Sequence, residues 1–267
     1  MGMTVALNYR VSGEGEPLIL LHGLFGSLEN LGGVAQRLQD EYQIHALDHR
    51  NHGRSPHTDQ MDYPAMAADI LAYMDQAGLE RASLLGHSMG GKAAMQVALS
   101  APERVERLIV ADIAPVSYPP HHDVILEGMT GLDLASLASR QDADRALARY
   151  VETPAVRQFL LKNLQRVPEE ERTEAAPAAF RWRINLPVIE ASYNNLAAAP
   201  EGEGPFTGPV LFLKGSESAY IQDKHREAVM SLFPKAQLRI ISGTDHWLHA
   251  EKPDTFAALC RQFLAEQ

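Results

Sequence analysis

Cysteine is almost absent. Cys260 stands alone among 267 residues, so no disulfide can close within the chain and no thiolate cluster can hold a metal. Basic charge is also short: Lys and Arg number 24 against 34 Asp and Glu, a formal net charge of −10 with His neutral. A chain of that sign gains little from counterion release on DNA or RNA, and an anionic bilayer repels it. Neither a nucleic-acid nor a membrane partner is expected. No apolar run reaches the ~18 residues that a spanning helix needs. The opening Met1-Gly2-Met3-Thr4-Val5-Ala6 lacks a basic stretch followed by an apolar one, the pattern of an export signal. Gly2 fits a myristoylation pattern only in part, because Ala6 occupies its Ser/Thr position. These absences lead to the expectation of a cytoplasmic protein, monomeric or homodimeric.

Apolar residues make up 45% and charged residues 22%, the range of a globular chain with a sizeable core. Short apolar runs at residues 5–11, 17–22, 43–47, 82–86, 105–111, 209–213 and 237–241 read as strands. Most are continuous rather than alternating, the pattern of a parallel sheet covered on both faces. Between them, Leu28, Leu31, Val34 and Leu38 recur at helical spacing, as do Met66, Ile70, Leu71 and Met74. A last helix would place Phe256, Leu259, Cys260, Phe263 and Leu264 on one face, with Cys260 a small buried hydrophobe rather than a nucleophile. The alternation predicts an α/β fold with a mostly parallel central sheet flanked by helices. It breaks once, in a long stretch without a convincing strand, helical at 144–150 and 155–165. A structureless loop of that length is improbable. Residues 113–208 are therefore expected to form a helical cap inserted into a core made of 1–112 and 209–267.

The sharpest motif is Gly86-His87-Ser88-Met89-Gly90. G-x-S-x-G alone is a weak pattern, but here a strand-like run precedes it and a helical run follows, the strand–turn–helix setting of a nucleophile elbow. Ser88 needs a base. His246 follows the last predicted strand and so falls at the strand edge where α/β sheets place their sites; His249 is its competitor. Two backbone N–H groups are needed for an oxyanion, and Met89 and Leu24 are the candidates. The third member is less obvious. Ser218, with Glu217 beside it, stands where the acid usually lies, whereas Asp112 ends four apolar residues one strand earlier and is costly to bury without a partner. Asp112 is favoured over Glu217. His45, Asp48, His49 and His52 match no metal-ligand spacing, so they read as a polar turn and no metal or cofactor is expected.

The chain resembles the α/β-hydrolase superfamily, and within it the bacterial YbfF-type esterases and their mitochondrial relatives. The likeness covers nearly the whole chain. Its carriers are His22-Gly23-Leu24-Phe25-Gly26-Ser27, Asp48-His49-Arg50-Asn51-His52-Gly53-Arg54-Ser55, Gly86 to Gly91, Val110 to Pro115, Phe180-Arg181-Trp182-Arg183-Ile184-Asn185-Leu186 and His246 to Pro253. The second and fifth are the most specific. The resemblance implies a Ser88, Asp112, His246 triad that hydrolyses carboxylic esters with short acyl chains, and a serine near position 218. Thr244-Asp245 departs from the small residues common before that histidine. Thioesterase, perhydrolase and C–C hydrolase chemistry would share the triad, and a non-catalytic ligand-binding module is the remote alternative. The inserted helices would roof an acyl pocket for a small-molecule ester, with Phe25, Trp182 and Trp247 as candidate lining.

Overall fold

The computed structural model describes residues 3–120, 122–174 and 178–266. Gly2 therefore lies outside the described residues. A seven-stranded sheet has the order β1-β3-β2-β4-β5-β8-β9. Its members are β1 (Tyr9–Ser12), β2 (Glu16–Leu21), β3 (Tyr42–Leu47), β4 (Ala82–His87), β5 (Val105–Ala111), β8 (Val210–Gly215) and β9 (Ala236–Ile241). All pairings are parallel except β1 on β3. Strand β1 is shorter than the apolar run at 5–11. The Val5 amide donates to Asp69 Oδ1 and the Asn8 amide to Ser55 Oγ, so side chains take those two amides in place of a ladder partner.

Period-2 alternation divides the strands between two cores. In β2, Ile19 and Leu21 face one side, and Leu18 and Leu20 the other; Phe212 and Leu213 of β8 divide in the same way. Helices α2 (Tyr63–Gln76) and α3 (Met89–Ser100) cover the first face, while α1 (Gly32–Leu38) and α11 (Pro253–Leu264) cover the second. Helix α2 starts where the Asp62 side chain accepts the Ala65 amide and Pro64 supplies a first-turn φ. Helix α11 buries Phe256, Cys260 and Phe263 completely or nearly so, and burial pushes the Cys260 thiol pKa up. A Leu or Phe side chain buried to this extent contributes ~1.5–3 kcal/mol.

Strands β5 and β8 are neighbours, so the chain leaves and re-enters the sheet at one place. Between them lie α4 (Asp123–Thr130), α5 (Arg140–Leu147), α6 (Pro154–Leu161), β6 (Leu164–Arg166), β7 (Phe180–Trp182), α7 (Leu186–Ala191) and α8 (Tyr193–Ala197). After β8 come α9 (Arg226–Leu232), β9 and α10 (Leu248–Glu251). Leu126, Met129, Leu147 and Leu160 of the inserted segment join the core on the α2–α3 face. Two expectations change here. The helix over 144–150 runs instead over Arg140–Leu147, because Ser139 caps it by accepting the Asp142 amide. The stretch read as strandless contains the antiparallel β6–β7 pair, which begins where the helix over 155–165 was expected to continue. Three residues per strand are too few for a period to register in the sequence.

Polar contacts stitch the inserted segment to the sheet. Asn185 donates through its backbone N–H to Asn51 O and through Nδ2 to Asn51 Oδ1. The Tyr63 hydroxyl donates to Leu196 O, and Gln96 exchanges two bonds with the Glu201 backbone. The two most specific sequence runs thus meet in space at Asn51 and Asn185. Arg50 of the first run pairs with Asp69 at 2.7 and 2.9 Å, both side chains 1% exposed.

Candidate active site

Strand β4 ends in a turn that only a few residue types tolerate. An added Cβ on Gly86 would lie 2.2 Å from Gly90 O, and one on Gly90 would lie 2.2 Å from Leu21 O. These approaches allow α3 to begin directly after the strand. Ser88 sits between the glycines at φ 54°, in the left-handed region that costs a non-glycine residue of order 1–3 kcal/mol. Its hydroxyl is held at the strand tip, at the N-terminus of the 12-residue α3, whose first amides lack intrahelical acceptors.

Ser88 Oγ lies 3.0 Å from His246 Nε2, and His246 Nδ1 lies 2.8 Å from Asp112 Oδ2. The structure thus brings together the three residues that the sequence singled out. His246 follows β9 on a loop, and Asp112 follows β5 at φ 54° with no exposed surface. Asp112 is held from several sides: the Ser218 hydroxyl donates to Oδ2 and the Gly215 amide to Oδ1. Ser218 Oγ in turn accepts the Tyr220 amide, and the Tyr220 ring stacks on His246 at 4.0 Å. Glu217 is exposed, and its amide donates to Thr244 O. Asp245 is exposed too, its amide donating to Glu251 Oε2. His249, the competing base, is buried behind His87, with ring centroids 4.4 Å apart. Burial pushes its pKa down to about 4.

Several contributors carried no sequence signal of their own. His87 Nε2–H donates to the His246 carbonyl at 2.8 Å, pinning that loop, and burial lowers its pKa well below the usual range. Lys92, one helical turn past Ser88, is 1% exposed and donates to Ala197 O and Ala198 O at 2.9 and 2.6 Å. Its ammonium lies 4.8 Å from the Tyr118 ring centroid, and burial pushes its pKa down to about 7.

Two cavities flank Ser88. The larger, about 310 Å³, is mostly apolar and is lined by Leu24, Phe25, Val156, Phe159 and Trp247. The smaller, about 40 Å³, lies among Met89, Lys92, Tyr63, Tyr118 and Tyr220. Leu24 and Ser88 border both. Phe25 and Trp247, two of the three residues expected to line an acyl pocket, border the larger cavity. Trp182 does not: it pairs with Leu164 in the β6–β7 ladder and lines neither cavity. The side chains of the polar turn serve as connectors. Asp48 accepts the Leu28 and Arg54 amides and Asn8 Nδ2, while His45 bonds Tyr73 and Gln43.

Residues 16–253 match the model of a family described as having the alpha/beta hydrolase fold. The chain is 37% identical over 249 residues to Esterase YbfF of Escherichia coli, covering 93% of this chain and 92% of that one. It is 41% identical over 255 residues to the sn-1-specific diacylglycerol lipase ABHD11 of Xenopus laevis, covering 92% and 79%. A solved marine microorganism esterase superposes with a TM-score of 0.91 at 40% identity, covering 97% of this chain and all of that one.

Proposed function

The chain belongs to the α/β-hydrolase family, and from that premise we propose that it is a serine carboxylesterase acting through Ser88, His246 and Asp112. The observation that carries the reading is the unbroken chain from Ser88 Oγ through the imidazole to a fully buried carboxylate, opening onto an apolar cavity. Asp112 accepts the Nδ1–H of His246, which leaves the Nε2 lone pair facing the serine hydroxyl. Nε2 takes the Ser88 proton as Oγ attacks the ester carbonyl. The Leu24 and Met89 amides receive the oxyanion, aided by the α3 N-terminus. His246 returns the proton to the leaving alkoxide, an acyl-enzyme forms, and water repeats the cycle to release the acid.

In this reading residues 113–208 act as the cap over the site. A cavity of about 310 Å³ suits short acyl chains. The lipase name carried by the Xenopus relative makes glycerol esters a second substrate class worth testing. The experiment is a panel of p-nitrophenyl esters from acetate to palmitate, with a diacylglycerol and acyl-CoA thioesters alongside. Wild type and Ser88→Ala are compared, and a fluorophosphonate probe reports the nucleophile. Turnover and labelling that both vanish in Ser88→Ala support the proposal; turnover surviving in the pure variant overturns it. A profile led by thioesters would keep the triad and replace the substrate class.

A further inference from the structure

The loop that carries Leu24 is held from two directions at the following residue. Phe25 lies at φ 61°, a conformation that a bulky side chain adopts only when its surroundings impose it. Its N–H donates to His52 Nε2 at 3.1 Å, and its carbonyl accepts Asn163 Nδ2 at 2.7 Å. His52 is fully buried. Its Nδ1–H donates to Arg50 O, so the ring is neutral and Nε2 is an acceptor; burial pushes its pKa down to about 3. Asn163 is 1% exposed and follows α6 in the inserted segment. Its own carbonyl accepts the Arg183 amide beyond β7, and its Nδ2 also reaches Leu160 O. The two peptide groups flanking Phe25 are thus clamped, one from the sheet core and the other from the inserted segment. The neighbouring His22 repeats the device: its Nδ1–H donates to Gly23 O and its Nε2 accepts the His49 amide.

We propose that Asn163 and His52 are positioning residues that clamp Phe25 in its left-handed conformation, fixing the Leu24 amide for the oxyanion and making oxyanion stabilisation depend on seating of the inserted segment. The proposal rests on the serine-hydrolase reading of Ser88. With His52 taking the Phe25 N–H, that amide is turned away and the preceding one is free to face the serine. Asn163 closes the clamp only while α6 and β6 are packed in place. The clamp acts on the tetrahedral state, so it governs kcat rather than substrate capture.

The test compares wild type with Asn163→Leu, His52→Leu, His52→Gln and Gln96→Ala. Removal of one oxyanion donor costs about 10²–10³ in kcat, so loosening its support is expected to cost about tenfold to a hundredfold in both Leu variants, with KM within about threefold. The Ki of a trifluoromethyl ketone, which forms a tetrahedral adduct, rises by a similar factor. His52→Gln, whose side-chain oxygen can accept the Phe25 amide, recovers most of the loss. Gln96→Ala cuts a different stitch between segment and core and leaves kcat within about twofold. Rates are normalised to folded protein by active-site titration and circular dichroism. A folded Asn163→Leu enzyme with wild-type kcat and Ki overturns the clamp, as does an equal fall in Gln96→Ala. If no ester is turned over by wild type, the esterase reading fails separately. The fluorophosphonate labelling rate, which also builds charge on oxygen, then reads the clamp with the same expectations.

Discussion

Oδ2 of Asp112 receives two donors, His246 Nδ1–H and the Ser218 hydroxyl, in a pocket without water-exposed surface. Ser218 stands at the strand end where an acid is usual, and its hydroxyl donates to the carboxylate one strand earlier. Asp112→Asn is expected to lower kcat by about 10³–10⁴-fold, the cost of losing imidazole orientation. Ser218→Ala removes one of several bonds to a charged group and should cost about tenfold or less, whereas Glu217→Gln should leave the rate unchanged. Steady-state kinetics on one ester rank all three, and a crippled Glu217→Gln enzyme would reverse the assignment. Ser88, Asp112 and His246 were legible in the chain because each follows a strand-like apolar run. His87 and Lys92 were not: one stands inside the elbow motif and the other inside an apolar helix, and only tertiary contact turns them into anchors for His246 and for the end of α8.

The short elements behave differently from the long ones. Strands β2 to β5 and helices α2, α3 and α11 carry enough turns or alternations to be read from hydrophobic spacing alone. The β6–β7 pair does not, and Trp182, expected over the substrate, stands in that pair and lines neither cavity beside Ser88. Phe159 of α6 lines the larger cavity instead, its ring 5.3 Å from that of Trp247. Phe159→Ala is therefore expected to enlarge the cavity and move the preferred p-nitrophenyl ester toward longer chains. Trp182→Ala should leave the chain-length profile in place and lower the thermal midpoint through lost packing. A profile shifted by Trp182→Ala alone would contradict this arrangement. The two most distinctive sequence runs explain themselves at this scale as well. They meet through Asn51 and Asn185, which dock one chain segment on another.

Across the whole molecule, imidazoles are buried where they must remain neutral. Burial lowers the pKa of His22, His49, His52, His87 and His249, to about 3 for His52 and about 4 for His249. The unfolded chain takes up these protons near pH 6.5. Between that pH and the lower folded values the unfolded state therefore binds more protons, so stability is full above pH 6.5 and falls as the solution is acidified toward pH 3 to 4. Urea midpoints measured at intervals from about pH 7.5 to 4.5 should decline, and His249→Gln should make the decline shallower; parallel curves would rule the histidine out as a source. Lys92 imposes the same kind of burden in a higher pH window. Its ammonium is disfavoured in the fold, so relative to Lys92→Met the wild type should gain stability as pH rises from about 7 toward 10.5. The buried Cys260 has a practical corollary. Because the sole thiol is sealed on the buried face of α11 and held protonated, maleimide chemistry finds a silent background. A nitroxide pair on cysteines introduced at exposed Arg181 and exposed Glu106 would then act as a molecular ruler, reporting from solution how the inserted segment rides on the sheet.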